Sequence, residues 1–335
     1  MTADPGPAID RSTVPWYRLP WGFVLKNTLR GFTRDACTDL AAGLTYFGVL
    51  SLFPAMIALV SILGLVGQSQ AGIDALFGMV NELAPGMLDV VRGPIENLAQ
   101  SPATGWALAI GIVGSVWSAS GYVGGFGRAL NRVYDVEEGR TAFTLRPAQL
   151  LVTIAALTLV ALVALLLVVS GPIATALGNA IGLGDAAQTA WSLLRWPIVV
   201  AALIVLVALL YGVSPNVKYP RFRWLTTGSI AAIVVVGIAS AGFAFYVANF
   251  GSYDKTYGAL AGIIVFLLWI WITNVALLLG AELDVEVERT REILAGHEAE
   301  YGLRLPLKSD AAIVKARDAE AGAILAARAL RRSRD

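Results

Sequence analysis

Tyr257-Gly-Ala-Leu-Ala-Gly-Ile-Ile-Val-Phe-Leu-Leu-Trp-Ile-Trp-Ile-Thr-Asn-Val-Ala-Leu-Leu-Leu-Gly280 contains no Asp, Glu, Lys or Arg. A helix rises 1.5 Å per residue, so about 20 apolar residues cross the roughly 30 Å of bilayer hydrocarbon. This stretch is long enough to cross. Five more stretches of the same kind precede it, at about Leu40–Gly67, Thr104–Val123, Gln149–Ser170, Trp196–Val213 and Leu225–Phe250. None carries an ionised side chain in its middle, and Trp106, Trp196, Tyr211, Trp224 and Tyr257 stand where interfacial rings belong.

Composition agrees. The chain is 57% hydrophobic and 15% charged, whereas a soluble domain carries about a quarter charged residues. There are too few charges to cover a water-facing exterior. The fold class expected is all-α and polytopic: a bundle of six transmembrane helices, with amphipathic helices outside the bilayer. Residues 1–39 form an N-terminal arm with an interfacial helix, 40–280 the six-span domain, and 281–335 a charged tail.

Of the 25 Lys and Arg residues, only Arg92, Arg195 and Lys255 fall in the loops after spans one, three and five. The other 22 lie in the N-terminal arm, the loops after spans two and four, and the tail. The positive-inside rule puts that larger set in the cytoplasm, with both termini, as in a bacterial cytoplasmic (inner) membrane protein. No cleavable signal peptide is expected at the N-terminus, so span one acts as an uncleaved anchor. Cys37 is the single cysteine, which excludes an intramolecular disulfide.

Outside the spans, Trp21, Val24, Leu25, Thr28, Leu29 and Phe32 form a helical stripe, with Lys26, Arg30 and Arg34 largely off it. This predicts a helix lying on the membrane face. In the acidic loop from Gln68 to Ser101, two stripes flank Pro85-Gly86. They read as short amphipathic helices that either cap a cavity or rest on headgroups. The tail is expected to start as a charged helix at Glu282 and turn at Leu305-Pro306. Beyond that turn it continues as a fragile helix or is disordered.

Catalytic chemistry finds little support in the sequence. A metal-dependent nuclease needs clustered His and carboxylate ligands, and the one histidine, His297, stands beside Glu298 in the tail. Cys37 has no nearby His to activate it. Gly121, Gly124, Gly125 and Gly127 follow an apolar helix, not a strand, and no Gly-Lys-Ser/Thr accompanies them. The expectation is a non-enzyme without cofactor or nucleic-acid partner.

The candidate functional residues are therefore polar or helix-breaking groups within the bundle. Pro54 frees the Leu50 carbonyl in span one and predicts a kink near Ser51, either for packing or as a hinge. Ser118 and Ser120, with Ser115, either line a path or bond their own helix. Thr273 and Asn274 either bridge helices or meet a substrate. The spacings Gly121/Gly125 and Gly258/Gly262 allow close helix approach. Arg128 and Asn131 after span two, Asn216 after span four and Glu282 after span six are expected at one depth. They form a polar cluster in which Arg128 and Glu282 pair, as a structural clamp, a gate or a headgroup site.

Several blocks together resemble one family. Span one reads Leu40-Ala-Ala-Gly-Leu-Thr-Tyr-Phe-Gly-Val-Leu-Ser-Leu-Phe-Pro54, and span two ends Trp117-Ser-Ala-Ser-Gly121 before Arg128-Ala-Leu-Asn-Arg-Val-Tyr134 and Arg140. Then come Leu210-Tyr-Gly-Val-Ser-Pro-Asn216, Tyr246, Ser252-Tyr253, Tyr257-Gly258, Trp269 and Leu279-Gly-Ala-Glu282. In this order and separation, over roughly residues 25 to 290, the chain resembles the YihY/BrkB-type inner-membrane proteins. The resemblance implies a six-span bacterial cytoplasmic-membrane protein. Family descriptions speak of serum resistance, envelope lipid handling and an older ribonuclease label.

Two functions are consistent with these residues. One is a transporter or flippase-like protein for a lipid or amphipathic envelope component, whose partners are membrane lipids and a lipid-like substrate. The other is a non-transporting scaffold for envelope-biogenesis partners. Proton-coupled transport of an ionic solute would normally leave an intramembrane carboxylate, and none is evident in the spans. The sequence carries no inverted-repeat pair and no signal for the oligomeric state.

Overall fold

The computed structural model describes residues 14–65, 92–93, 104–168, 185–218, 226–249, 259–303 and 305–333. After a short 3-10 turn come helices α1 (Trp21–Arg34), α2 (Cys37–Leu65), α3 (Thr104–Val133) and α4 (Ala142–Val168). They are followed by α5 (Asp185–Val213), α6 (Thr227–Asn249), α7 (Ala259–Leu294) and α8 (Ala311–Arg332). Helices α2 to α7 stand at the six expected spans. Among the described residues, four segments are long and apolar enough to cross a membrane: Ala142–Val163, Thr189–Val213, Thr227–Tyr246 and Gly262–Leu294. The protein is an all-α membrane protein.

Each of α2 to α6 packs against the helix that follows it, and α7 closes back onto α2. The result is a ring in chain order, with α3 also touching α7 and α5. Short connections make this arrangement natural: α3 turns into α4 within eight residues, with Asp135 at φ 53° in the left-handed region. Aspartate tolerates that conformation better than most residues.

Among the described side chains, burial is uneven along the bundle axis. The buried core gathers at one end, from Cys37, Ala41 and Leu44 of α2, Val123 to Val133 of α3, Leu210 and Tyr211 of α5, Ala232 of α6 and Leu277 to Val285 of α7. Toward the other end Trp106, Ile110, Val113, Leu193, Trp196, Phe245, Tyr246, Leu267 and Trp269 are exposed. The α6–α7 crossing shows how tight the sealed end is. A Cβ on Gly280 would lie 2.5 Å from the Gly228 carbonyl oxygen, and one on Gly228 would lie 1.9 Å from that of Gly280. Only a glycine pair permits this approach.

Several helices outrun the expected spans. The last span was expected to stop at Gly280, but α7 continues unbroken to Leu294, and α3 continues from Val123 to Val133. These extensions persist because they pack on protein beyond the hydrocarbon. The α7 extension is covered by α1, where Val24 and Leu19 meet Leu283 and Val287. The stripe on α1 is thus divided: Val24 and Thr28 face α7, while Leu25 and Leu29 remain exposed. The two amphipathic segments expected between Gln68 and Ser101 lie outside the described residues. The distal tail forms the helix α8.

Candidate functional site

The described polar residues of the sealed end form two clusters, one buried and one partly buried, and a third lies deeper among the spans. The deepest joins three helices. Tyr122 Oη of α3 donates to Asn274 Oδ1 of α7 at 2.8 Å, and Asn274 Nδ2 donates to Thr45 Oγ1 of α2 at 3.3 Å. Thr45 in turn donates to the Ala41 carbonyl. In hydrocarbon an unsatisfied amide costs several kcal/mol; here Asn274 is spent on an inter-helix bond. Its neighbour Thr273 is half-buried and bonds the Trp269 carbonyl of its own helix at 2.9 Å. Ser120 likewise bonds the Trp117 carbonyl, and Ser118 is half-buried. Ser51 Oγ donates to the Gly48 carbonyl at 2.6 Å. The backbone of α2 stays helical through Pro54; the Pro54 side chain lies outside the described residues.

One turn or two nearer the end, Glu282 of α7 is buried at the α1–α2 corner. Cys37 Sγ donates to its Oε1 at 3.5 Å. Its Oε2 occupies the space beside Gly31, where a Cβ would come within 2.4 Å. Burial, and then the charge of Asp35, push the Glu282 carboxyl well above the usual carboxylate range. Burial foremost, with the Glu282 charge, pushes the Cys37 thiol up. Asp35 itself is held by a two-point contact from Arg34, Nε at 3.1 Å and Nη2 at 2.9 Å. One helical turn from the Gly228–Gly280 crossing, Asp284 accepts the Gly228 N–H at 2.6 Å and the Thr226 hydroxyl. It thereby satisfies donors left open at the start of α6. Burial outweighs those bonds and pushes Asp284 up to about 7.

The second cluster ties the α3–α4 turn, the end of α5 and the segment before α8. Asn131 Oδ1 accepts the Asn216 N–H at 2.7 Å, and Asn131 Nδ2 donates to Glu138 at 2.9 Å. Arg140 grips Glu138 through Nε at 2.7 Å and Nη2 at 2.8 Å, and also donates to the Val213 and Ser214 carbonyls. Burial alone would raise the Glu138 carboxyl, but the bonds from Arg140 outweigh it and hold Glu138 low. Asn216 Nδ2 donates to the Glu137 and Ser309 carbonyls, and Asn216 Oδ1 accepts the Ser309 N–H. Lys308 Nζ donates to the Gly212, Val213 and Pro215 carbonyls at 2.9–3.0 Å, closing the C-terminus of α5. Burial pulls its pKa down to about 8. A single antiparallel bridge, Val217 with Leu307, completes the clamp.

The expected four-residue cluster is therefore split. Asn131 and Asn216 meet directly. Arg128 and Glu282 do not pair: Arg128 is exposed, its guanidinium 6.0 Å from the Phe47 ring centroid, while Glu282 is enclosed by Gly31 and Cys37. The reason is rotational. Arg128 stands two residues from the fully buried Phe126, about 200° around α3, and so faces away from the bundle interior.

Sequence reasoning overlooked Tyr122, Thr45, Glu138, Lys308, Ser309 and Asp284. Arg140 lay inside a noted block, and its separation of two residues from Glu138 was the available signal. Among the described residues, no three His, Cys, Asp or Glu side chains come together as a metal site. His297 uses its backbone N–H on the Glu292 carbonyl.

These features define a multi-pass, all-α membrane protein in which, among the described residues, two of the polar clusters gather at one end of the bundle. The chain belongs to the Virulence factor BrkB family, whose model matches residues 28–301. It is 30% identical over 270 residues to the ribonuclease-like protein YfkH of Bacillus subtilis, a match covering 80% of this chain and 96% of that one. It is 29% identical over 275 residues to a UPF0761 membrane protein of Alkalilimnicola ehrlichii, covering 80% of this chain and 59% of that protein. A UPF0761 membrane protein of Halorhodospira halophila is 28% identical over 260 residues, which cover 53% of it. The chain thus spans little more than half of these two longer relatives. No solved structure matches.

Proposed function

We propose that this chain is a non-enzymatic, transporter or flippase-like protein that handles a membrane lipid in the bacterial cytoplasmic membrane, with its sealed end and both termini in the cytoplasm. The observation that carries the reading is the packing asymmetry. Among the described residues, each of α2 to α7 contributes buried side chains toward one end, while α3, α5, α6 and α7 expose large apolar and aromatic side chains toward the other. Such a bundle is closed to the aqueous side at one end and accessible to lipid along the rest. The polar groups among the spans, Thr45, Tyr122 and Asn274, are uncharged, which suits an amphipathic cargo better than an ionic solute.

The test is reconstitution. Vesicles containing the purified protein should expose an inner-leaflet fluorescent phospholipid to an external quencher faster than protein-free vesicles. No acceleration over vesicles carrying an unrelated six-helix protein would remove the transport reading.

A second reading, a scaffold for envelope partners, draws on α8. This helix is anchored by Ser309 and then exposed along almost its whole length, Ile313 being its buried residue. Retention of a lipid-metabolising enzyme by the full chain, lost when residues 311–335 are removed, would favour it.

A further inference from the structure

One face of α3 runs from the open half of the bundle to its sealed end. Trp106, Ile110, Val113 and Trp117 follow one another on it at three- or four-residue spacing, all exposed. Gly121 and Gly124 continue the same face without side chains, and then come Arg128 and Arg132, both exposed. Helices α2 and α4 flank α3. From α2, Phe47 packs against Gly121, 3.2 Å from the position of a Cβ there, and lies beneath the Arg128 guanidinium. From α4, Gln149 Nε2 lies 3.1 Å from the corresponding position on Gly124, and Arg128 Nη1 lies 3.6 Å from it. Arg146 is exposed one turn before Gln149.

The ion pairs among the described residues are Arg34–Asp35, Arg140–Glu138, Arg289–Glu286, Arg291–Glu288 and Arg317–Glu137. Arg128, Arg132 and Arg146 take part in none of them, and neither do the exposed carboxylates of Asp39 and Asp135. Three exposed guanidinium groups outside those ion pairs thus stand on two adjacent helices, at the polar end of a face whose remaining length is apolar and aromatic.

We propose that this face of α3, flanked by α2 and α4, binds one anionic phospholipid from the leaflet at the sealed end. Arg128, Arg132 and Arg146 hold its phosphate, and an acyl chain lies along Trp117 and Val113. Guanidinium suits phosphate because its planar donors match the oxygens and its hydration is weak. At Gly121 and Gly124 the space of the missing side chains is taken by Phe47 and Gln149, so α2 and α4 close on α3 just beneath the arginines. This deepens the lipid-handling reading by naming the lipid class and its place. Because the test below measures binding without movement, the two can fail separately.

The full-length protein in neutral detergent is mixed with phosphatidylglycerol or phosphatidylcholine of identical chains, and retained lipid is read by native mass spectrometry. Phosphatidylglycerol should be retained about tenfold more, a difference of about 1.4 kcal/mol. The Arg128→Ala/Arg132→Ala/Arg146→Ala protein should lose the preference, and Lys26→Ala/Arg30→Ala should keep it. Equal retention by the native protein, or a preference surviving in the triple variant, overturns the site. Equal loss in the α1 variant would mean diffuse surface charge and also overturns it. Binding of inorganic phosphate without any lipid preference overturns its assignment to a lipid. A second measurement leaves the arginines untouched. Brominated phosphatidylglycerol should quench the Trp117 fluorescence, taken as the difference from Trp117→Phe, more than brominated phosphatidylcholine. Equal quenching overturns the proposal.

Discussion

The carboxyl group of Glu282 on α7 fills the space that a side chain on Gly31 of α1 would need, with Oε2 2.4 Å from the position of a Cβ there. The glycine is what lets α1 lie on the extension of α7, and the extension is what keeps Glu282 away from water. Gly31→Ala should therefore destabilise the detergent-solubilised protein by about 1–3 kcal/mol, the usual range for overpacking, despite the better helix propensity of alanine. Adding Glu282→Ala should recover part of that loss. Thermal denaturation of the two single variants and the double variant checks this, and a double variant as unstable as the sum would refute the contact.

The raised Glu282 pKa has a pH consequence. In the unfolded chain this carboxyl titrates near 4.5, and in the folded protein well above it. The folded state therefore binds the proton more tightly. The stabilisation is fully present below about pH 4.5 and is lost as pH rises through the folded pKa. Asp284, pushed up to about 7, acts in the same direction. Thermal stability should fall between about pH 5 and pH 9, and Glu282→Gln should flatten a measurable part of that fall. An unchanged pH profile in Glu282→Gln would show that Glu282 does not carry it.

Arg128 and Glu282 should be independent. One faces outward over Phe47 and the other is enclosed at the α1–α2 corner. In a double-mutant cycle, Arg128→Ala and Glu282→Ala should add within about 0.5 kcal/mol. A coupling of several kcal/mol, as for a buried ion pair losing one partner, would contradict the geometry.

The clamp before α8 depends on Asn216. Asn216→Ala removes the acceptor of the Ser309 N–H and the donor to the Glu137 and Ser309 carbonyls. Leaving those groups unpaired should cost about 1–3 kcal/mol. Proteolysis between residues 305 and 311 should quicken, while cleavage elsewhere stays unchanged. Equal protection of the tail in the variant would show that the clamp does not rest on this side chain.

The proposed six-span topology, with both termini inside, can be tested directly. Reporters active only outside the membrane should be active when fused after Glu82, Asp185 or Asp254, and silent after Glu138, Lys218 or Ser309. In the structure Glu138, Lys218 and Ser309 gather at the sealed end through the Asn131–Glu138 and Asn216–Ser309 bonds and the Lys218–Pro306 backbone bond. Activity after Glu138 or Lys218 would break the topology.

The spans were legible because crossing hydrocarbon is a local requirement: length, apolarity and the exclusion of charge can be counted along the chain. The same counting placed Arg128, Asn131, Asn216 and Glu282 at one end, since each follows an apolar run by only a few residues. Depth is a one-dimensional property. Which side of a helix a residue occupies, and what faces it, is not. The 200° between Phe126 and Arg128 sent the arginine outward, and the absent side chain of Gly31 drew Glu282 toward Cys37. Asn274 found Tyr122 and Thr45 from two other helices, 152 and 229 residues away in the chain. Those partnerships depend on how the helices rotate and close into a ring. That rotation is set by where glycines let backbones touch, as at Gly228 and Gly280, and only the tertiary structure decides it.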